Sequence, residues 1–334
     1  MRSDRNGYTL VEVLVVIVIL GVVSTGIMVV FLTSQEEYRV RDATIRMQQQ
    51  ARLAMYDMER EMKLTGYGFM DLGNLKIKAY LKNDEMVWAV FKTDDGGVGK
   101  AEKTDSVTLR YLDSETDTTT DVTLTEASNG SSSNFRVSSA AGFQDSDLFL
   151  VYDPSDLGKP ASMYQVTGTA GGDTLQHNPG SQGPYNRPGG LGVSYPAGSK
   201  IINLRGMKAR EVKYSVDASH NLVKEVTQDG AGASTRRIIA LGIEDLQVRY
   251  RFRNGEWRDA PVENDPNLDV NNLRSVRLSL IARTAKPDPR YADSQPHQLS
   301  GIHGNGEAYA GQGYRRMEMS TIINLRNLAM RDQL

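Results

Sequence analysis

Residues 7–32 read GYTLVEVLVVIVILGVVSTGIMVVFL, an apolar run whose one side chain charged at neutral pH is Glu12. From Val13 to Leu32 nothing charged interrupts it, and at ~1.5 Å per residue such a helix covers roughly 30 Å, the depth of a bilayer's hydrocarbon core. A carboxylate in that medium is costly unless something answers it, so Glu12 reads as a functional group whose partner has to be named. Arg2 and Arg5 precede the run, and Glu36 and Glu37 follow it. The short basic end is therefore expected to stay cytoplasmic and the rest of the chain to be exported, as a single-pass protein oriented N-in and C-out.

Two ordinary readings compete. A secretory signal peptide has an apolar core of ~7–15 residues and then a small-x-small cleavage site; here the run is longer and passes straight into a charged helical pattern. A plain anchor helix is the other. The chain has no cysteine, which excludes a lipoprotein anchor and any disulfide, so the exported part depends on core burial, bound ions or neighbouring subunits.

Gly7-Tyr8-Thr9-Leu10-Val11-Glu12, behind a short basic leader, resembles the class III signal of type IV pilins and type II secretion pseudopilins. The resemblance implies that a prepilin peptidase cuts between Gly7 and Tyr8, that the new amino terminus is methylated, and that Glu12 serves subunit docking. Tyr8 stands where the family usually has phenylalanine. The physics agrees: an amine at Tyr8 would supply a cation for Glu12, within the same first turn or on a neighbouring subunit. The plain alternative is a Glu12 that snorkels to the headgroups.

Beyond the membrane the periodicity continues. Val40, Ala43, Met47, Ala51, Ala54, Met58 and Met62 recur at three- and four-residue spacing, with Arg39, Arg46, Arg52, Asp57, Glu59, Arg60 and Lys63 on other faces, so residues 34–66 read as an amphipathic helix stopped at Gly66. Joined to the membrane half over residues 8–33 it makes one rod of roughly 85 Å. The methionine stripe is expected to pack on the chain's own C-terminal domain. No proline occurs before Pro154, and Gly21 and Gly26, at about 1 kcal/mol each against alanine, are the only soft points.

From residue 67 onward the pattern becomes that of strands. Alternation over 106–112, 121–125, 134–138 and 211–216, and short apolar runs at 87–91 and 147–152, predict β structure, as do 200–204, 222–227, 236–241, 246–252, 275–284 and 317–325. Asn254-Gly255 signals a hairpin. Residues 168–199, rich in Gly, Pro, Ser and Asn, and residues 285–313 are expected as long loops. The fold class is α+β: one long helix packed on a large, mostly antiparallel β domain over 67–334, which is the pilin-like plan.

Chemistry finds little foothold. The net charge of -2 with both signs interspersed gives no basic field for nucleic acid. His177, His220, His297 and His303 are scattered, and no nucleophile elbow, P-loop or dinucleotide fingerprint is present. His297 and His303 with Asp293 and Glu307 make a metal site only on paper, so no enzyme is expected. Asp265, Asn267 and Asp269 put oxygens at alternate positions as a calcium loop does, but Val270 and Val276 stand where an EF-hand needs glycine and glutamate. A different calcium turn and a plain Asn/Asp-rich turn are the two readings left.

Past the helix, Leu64-Thr65-Gly66-Tyr67-Gly68-Phe69 following the Glu59-Arg60-Glu61-Met62 end resembles the PilW family of type IV minor pilins. Looser likeness to that family and to pseudopilin J runs through Val212–Val216, Gly242–Tyr250 and Leu325–Leu328. Leu148–Tyr152, Tyr164–Thr167 and His177-Asn178-Pro179 look like the PilW family's inserted β region, which pseudopilin J lacks. The resemblance implies a low-abundance subunit that primes pilus assembly from a tip complex, first in the inner membrane and then in the extracellular pilus. Its partners would be the peptidase, other minor pilins, the major pilin, the inner-membrane assembly platform and a tip adhesin. The alternatives are a secretion pseudopilin and a membrane-anchored binding domain.

Overall fold

A computed structural model describes residues 9–69, 76–81, 84–89, 91–94, 104–112, 122–156, 158–179, 185–205, 209–228, 234–261, 265, 267–291 and 313–330. It begins with helix α1 (Leu10–Leu64), 55 residues without interruption, about 80 Å long at the helical rise. No proline lies within it, the helix runs through Gly21 and Gly26 without a break, and a Cβ at either would meet nothing within 4 Å, so close packing within the chain does not require these glycines. Every described residue from Thr9 to Thr33 is exposed.

The strands follow in chain order. They are β1 (Lys76–Leu81), β2 (Asp84–Ala89), β3 (Phe91–Asp94), β4 (Ser106–Leu112), β5 (Val122–Thr123) and β6 (Asn134–Arg136). Next come β7 (Leu148–Tyr152), β8 (Ser162–Gln165), β9 (Gly168–Ala170), β10 (Thr174–Gln176), β11 (Lys200–Asn203) and β12 (Ala209–Val216). The last are β13 (Asn221–Gln228), β14 (Ser234–Leu241), β15 (Ile243–Phe252), β16 (Trp257–Arg258), β17 (Leu273–Arg283) and β18 (Arg316–Asn324), closed by a short helix, α2 (Arg326–Met330).

Among the described residues four sheets form, ordered β14-β13-β12-β4-β3, β16-β15-β17-β18, β2-β1-β8-β7-β11-β5 and β6-β10-β9. Pairing is antiparallel apart from β1 on β8. The first two sheets lie against α1, and Met47, Ala51, Ala54, Met55, Met58 and Met62 join one core with Tyr214, Leu246, Leu278 and Ile323. The expected stripe is therefore the buried face, and it tapers toward the membrane: Val40 and Ala43 are only half-covered, because a cleft of about 1140 Å³ separates them from the 283–288 segment.

The turn out of the helix explains its glycines. Gly66 and Gly68 both have φ of +78°, a conformation that side chains resist. Gly66 N–H donates to Arg110 O at 2.9 Å and Leu112 N–H to Tyr67 O at 2.9 Å, so the chain is fastened to β4 as it reverses.

A second core lies outside the first, built from Val122, Phe135, Phe149, Tyr164, Leu175, Tyr195 and neighbours. Strand β7 belongs to both cores: Leu148, Leu150 and Tyr152 face the helix-side core, whereas Phe149 and Val151 face the outer one. His177 is buried in the outer core, its ring 4.3 Å from that of Phe135 and 4.6 Å from that of Tyr164.

One expectation fails here. The described parts of residues 168–199 are not a structureless loop: β9 and β10 form a hairpin with Gly171 and Gly172 at positive φ, and Leu191, Val193 and Tyr195 are buried. Most of the described glycines there take positive φ, and Gly190 is a close-approach residue as well. A Cβ at Gly190 would fall 1.8 Å from Gly130 O, so two loops cross where only bare backbone fits. Much of the other expected loop, residues 292–312 with Asp293, His297, His303 and Glu307, lies outside the described residues. Asn254-Gly255 does sit in a β15–β16 hairpin, with Tyr250 opposite Arg258 and Arg251 opposite Trp257.

Candidate functional site

Gly7 and Tyr8 lie outside the described residues. Thr9 is the N-cap of α1, and its hydroxyl accepts the Glu12 N–H at 3.2 Å. The Glu12 carboxylate returns the contact, accepting from Thr9 N–H at 2.8 Å and from the Thr9 hydroxyl at 2.9 Å. This capping box satisfies two amides of the first turn and sets a negative charge against the positive end of the helix dipole. Glu12 thus holds the residue next to Tyr8.

At the other end of the rod the polar chemistry is internal. Lys224, from β13, reaches α1 with its ammonium 2.7 Å from Glu61 Oε1 and 3.2 Å from Asp57 Oδ2. The Tyr214 hydroxyl donates to Asp57 Oδ2 at 2.5 Å, and the Tyr111 hydroxyl to Glu61 Oε2 at 2.8 Å. Burial, reinforced by the adjacent carboxylate, pushes both phenols well above the usual tyrosine range. They stay protonated and serve as donors. Two carboxylates, one ammonium and two hydroxyls, contributed by α1, β4, β12 and β13, therefore lock the helix to the sheet at a single rotation and height.

This corrects the sequence reading, which put Asp57 on a face other than the packed one. Glu61 was not recognised either, although a signal existed. Asp57 and Glu61 are four residues apart, and like charges at that spacing repel on a helix unless a cation is brought to them. The remaining charges of α1 mostly pair along the helix: Arg39 with Glu36 at 3.8 Å, Arg41 with Glu37 at 3.8 Å, Arg46 with Asp42 at 2.8 Å and Lys63 with Glu59 at 2.7 Å.

The oxygens weighed for calcium are occupied locally. Asp265 Oδ1 accepts Asn267 N–H, and Asp269 Oδ1 accepts Asn271 N–H, each at 2.9 Å; the second caps a 3-10 turn over Val270–Asn272. Among the described residues no three His, Asp or Glu side chains are grouped to hold a metal.

Comparison with known proteins adds two family matches. Residues 2–28 match the prokaryotic N-terminal methylation motif, and residues 211–327 match the family described as type IV pilus-assembly protein W, PilW. Behind a prepilin-type methylation motif, this chain thus resembles PilW over about its last third. Residues 211–327 of this PilW-like pilin run from β12 to α2, the sheets on which the helix lies, and the methylation motif covers the membrane half of that helix. The two matches imply processing by a peptidase and pilin partners, and with the exposed apolar helix they mark a membrane-anchored chain. No curated protein matches it. Among solved structures a type IV-like pilin of Thermus thermophilus, TTHA1219, is similar at 13% identity over 85% of this chain and 98% of that one, with a TM-score of 0.37.

Proposed function

We propose that this PilW-like pilin is a minor pilin, a low-abundance subunit that primes assembly of a type IV pilus and sits in its tip complex. The observation that carries the reading is the continuity of α1. A membrane-length apolar segment, preceded by the methylation motif, runs without a break into a helix half clamped by the PilW-matched sheets. Such a chain is held in the bilayer before assembly, N-in and C-out, and brings an already folded domain to the filament. Catalysis is not required of it. The outer core built over residues 122–201 is the feature that favours a minor pilin over a pseudopilin J-like subunit.

On this reading Gly7 is the cleavage residue and Tyr8 the methylated terminus. The Tyr8 amine then lies beside the backbone that Glu12 already holds, and Glu12 pairs with that amine, on its own chain or on a neighbour's, during docking. The partners are prepilin peptidase, other minor pilins, the major pilin, the assembly platform and a tip adhesin. N-terminal sequencing of the chain from membranes and from sheared filaments tests the proposal. A mature chain starting at Tyr8 and present in filaments at low copy is expected; a chain starting elsewhere, or processed but never found in filaments, sinks it.

A further inference from the structure

In the sheet β16-β15-β17-β18, Val248, Tyr250 and Phe252 of β15 and Val276 and Leu278 of β17 belong to the helix-side core. Strand alternation therefore turns Arg249, Arg251 and Arg277 to the opposite face. There Arg249 stands directly across from Arg277, and Arg251 across from Trp257 of β16. Like charges so placed repel unless something answers them. Arg249 is answered by Asp259 at 2.7 Å. Arg251 and Arg277 are not: among the described residues neither meets a carboxylate, and both lie against the Trp257 ring, their guanidinium carbons 6.0 Å and 4.9 Å from its centroid. Arg251 is exposed, and Arg277 and Trp257 are half-buried.

A guanidinium laid against an indole is held in place yet keeps its edge N–H donors, which form the fork that matches a carboxylate. Two such forks on one ring make a compact anion-binding face. Glu256, on the same hairpin, is already engaged by Arg258 and Asn254.

The place of this face in the fold narrows the ligand. Arg253 N–H, just past β15, donates to Asn272 O, Leu325 N–H donates to Arg274 O, and Asn327 Nδ2 donates to Thr65 O. The face thus lies level with the end of α1, roughly 50 Å along the rod from Leu32. Lipid of the chain's own bilayer is out of reach. A long polyanion such as nucleic acid needs many cations along its path, whereas this chain has a net charge of -2 with both signs interspersed. The ligand that fits is gripped at one point, by an acidic group and by an apolar surface beside it. A sugar ring bearing a carboxylate offers both, the acid to the guanidiniums and its C–H face to the indole.

We propose that Arg251, Arg277 and Trp257 form a binding face for an acidic saccharide, whose carboxylate the two guanidiniums hold. The inference goes beyond the minor-pilin reading and is independent of it.

The test is binding of trigalacturonate by the full chain, purified in detergent, with uncharged maltotriose and a short DNA duplex as competing probes. Wild type should bind the acidic sugar and neither of the others, and salt should weaken that binding. Arg251→Gln with Arg277→Gln should weaken it about tenfold or more, while Arg251→Lys with Arg277→Lys, which keeps the charge and loses the fork, should cost less. Urea unfolding checks the fold of each variant. Arg251→Gln alone changes only an exposed side chain and should still weaken binding about threefold or more, so the test survives a pair that fails to fold. Arg136→Gln, on the outer region, should bind as wild type does. The proposal is overturned if wild type does not bind trigalacturonate, if it binds maltotriose or DNA as tightly, or if a folded glutamine variant binds at wild-type strength.

Discussion

The Lys224 ammonium lies 2.7 Å from Glu61 Oε1, bridging strand β13 and helix α1 across 163 residues of sequence. Both groups are buried. A paired buried charge contributes little net stability, but removing one partner leaves the other stranded. Lys224→Met should therefore destabilise the domain by about 3–5 kcal/mol, measured by urea unfolding in detergent. Replacing Lys224, Glu61 and Asp57 with apolar residues of similar volume, together with Tyr111→Phe and Tyr214→Phe so that no hydroxyl is left without an acceptor, should recover most of that loss. If Lys224→Met unfolds at the wild-type midpoint, the ammonium does not hold the helix.

The methionine stripe makes a separate prediction. Truncation before about Thr33 removes the exposed apolar segment and none of the buried helix residues, so the remainder should be soluble and folded. Met58, fully buried, packs on that domain, and Met58→Asp should cost ~3 kcal/mol or more. Hydrogen exchange decides it. Rapid exchange throughout residues 44–62 of the truncated chain would show that the sheets do not clamp the helix.

His177 gives a pH dependence. Burial lowers its pKa from 6.5 to about 4, and Nε2 has no hydrogen-bond partner. Between those values the unfolded chain binds a proton that the fold refuses. Stability from this group is thus complete above pH 6.5 and falls, by about 3 kcal/mol in all, as pH drops to 4. His177→Phe keeps the ring against Phe135 and should flatten that part of the profile. A mutant as acid-sensitive as wild type over pH 4–6.5 would assign the loss to other groups.

Glu12→Ala should insert into the membrane at least as readily as wild type, because no carboxylate has to be buried, yet be depleted from sheared filaments. The capping box is lost as well, at roughly 1 kcal/mol, so Glu12→Gln serves as a partner variant that keeps a hydrogen-bond acceptor but no charge. Wild-type filament content for both would remove Glu12 from docking.

The helix was legible from sequence because its two signals are local. Twenty uncharged residues, Val13 to Leu32, announce a span, and the spacing of Met47, Ala51, Ala54, Met58 and Met62 announces a face. The strands with clean alternation, such as β4 and β12, were equally readable. What the sequence could not show depends on contacts distant along the chain. Lys224 is an ordinary lysine until β13 is folded against α1, and only that contact turns Asp57 and Glu61 inward. Glycines of residues 168–199 look like loop residues because tight turns at positive φ and the close backbone approach of Gly190 to Gly130 leave the same composition as flexibility. The five consecutive apolar residues of β7 carried no period because both of its faces are covered.

That doubly covered strand has a mechanical consequence. Load applied to the outer region can reach the membrane rod through β7, whose opposite faces grip two cores, and through the hydrogen bonds of β7 with β8 and β11. Phe149 and Leu150, adjacent in sequence, are anchored on opposite sides of one wall. Force passing between the outer region and α1 by this route therefore meets packed side chains on both faces of β7 as well as its bonds to both neighbouring strands.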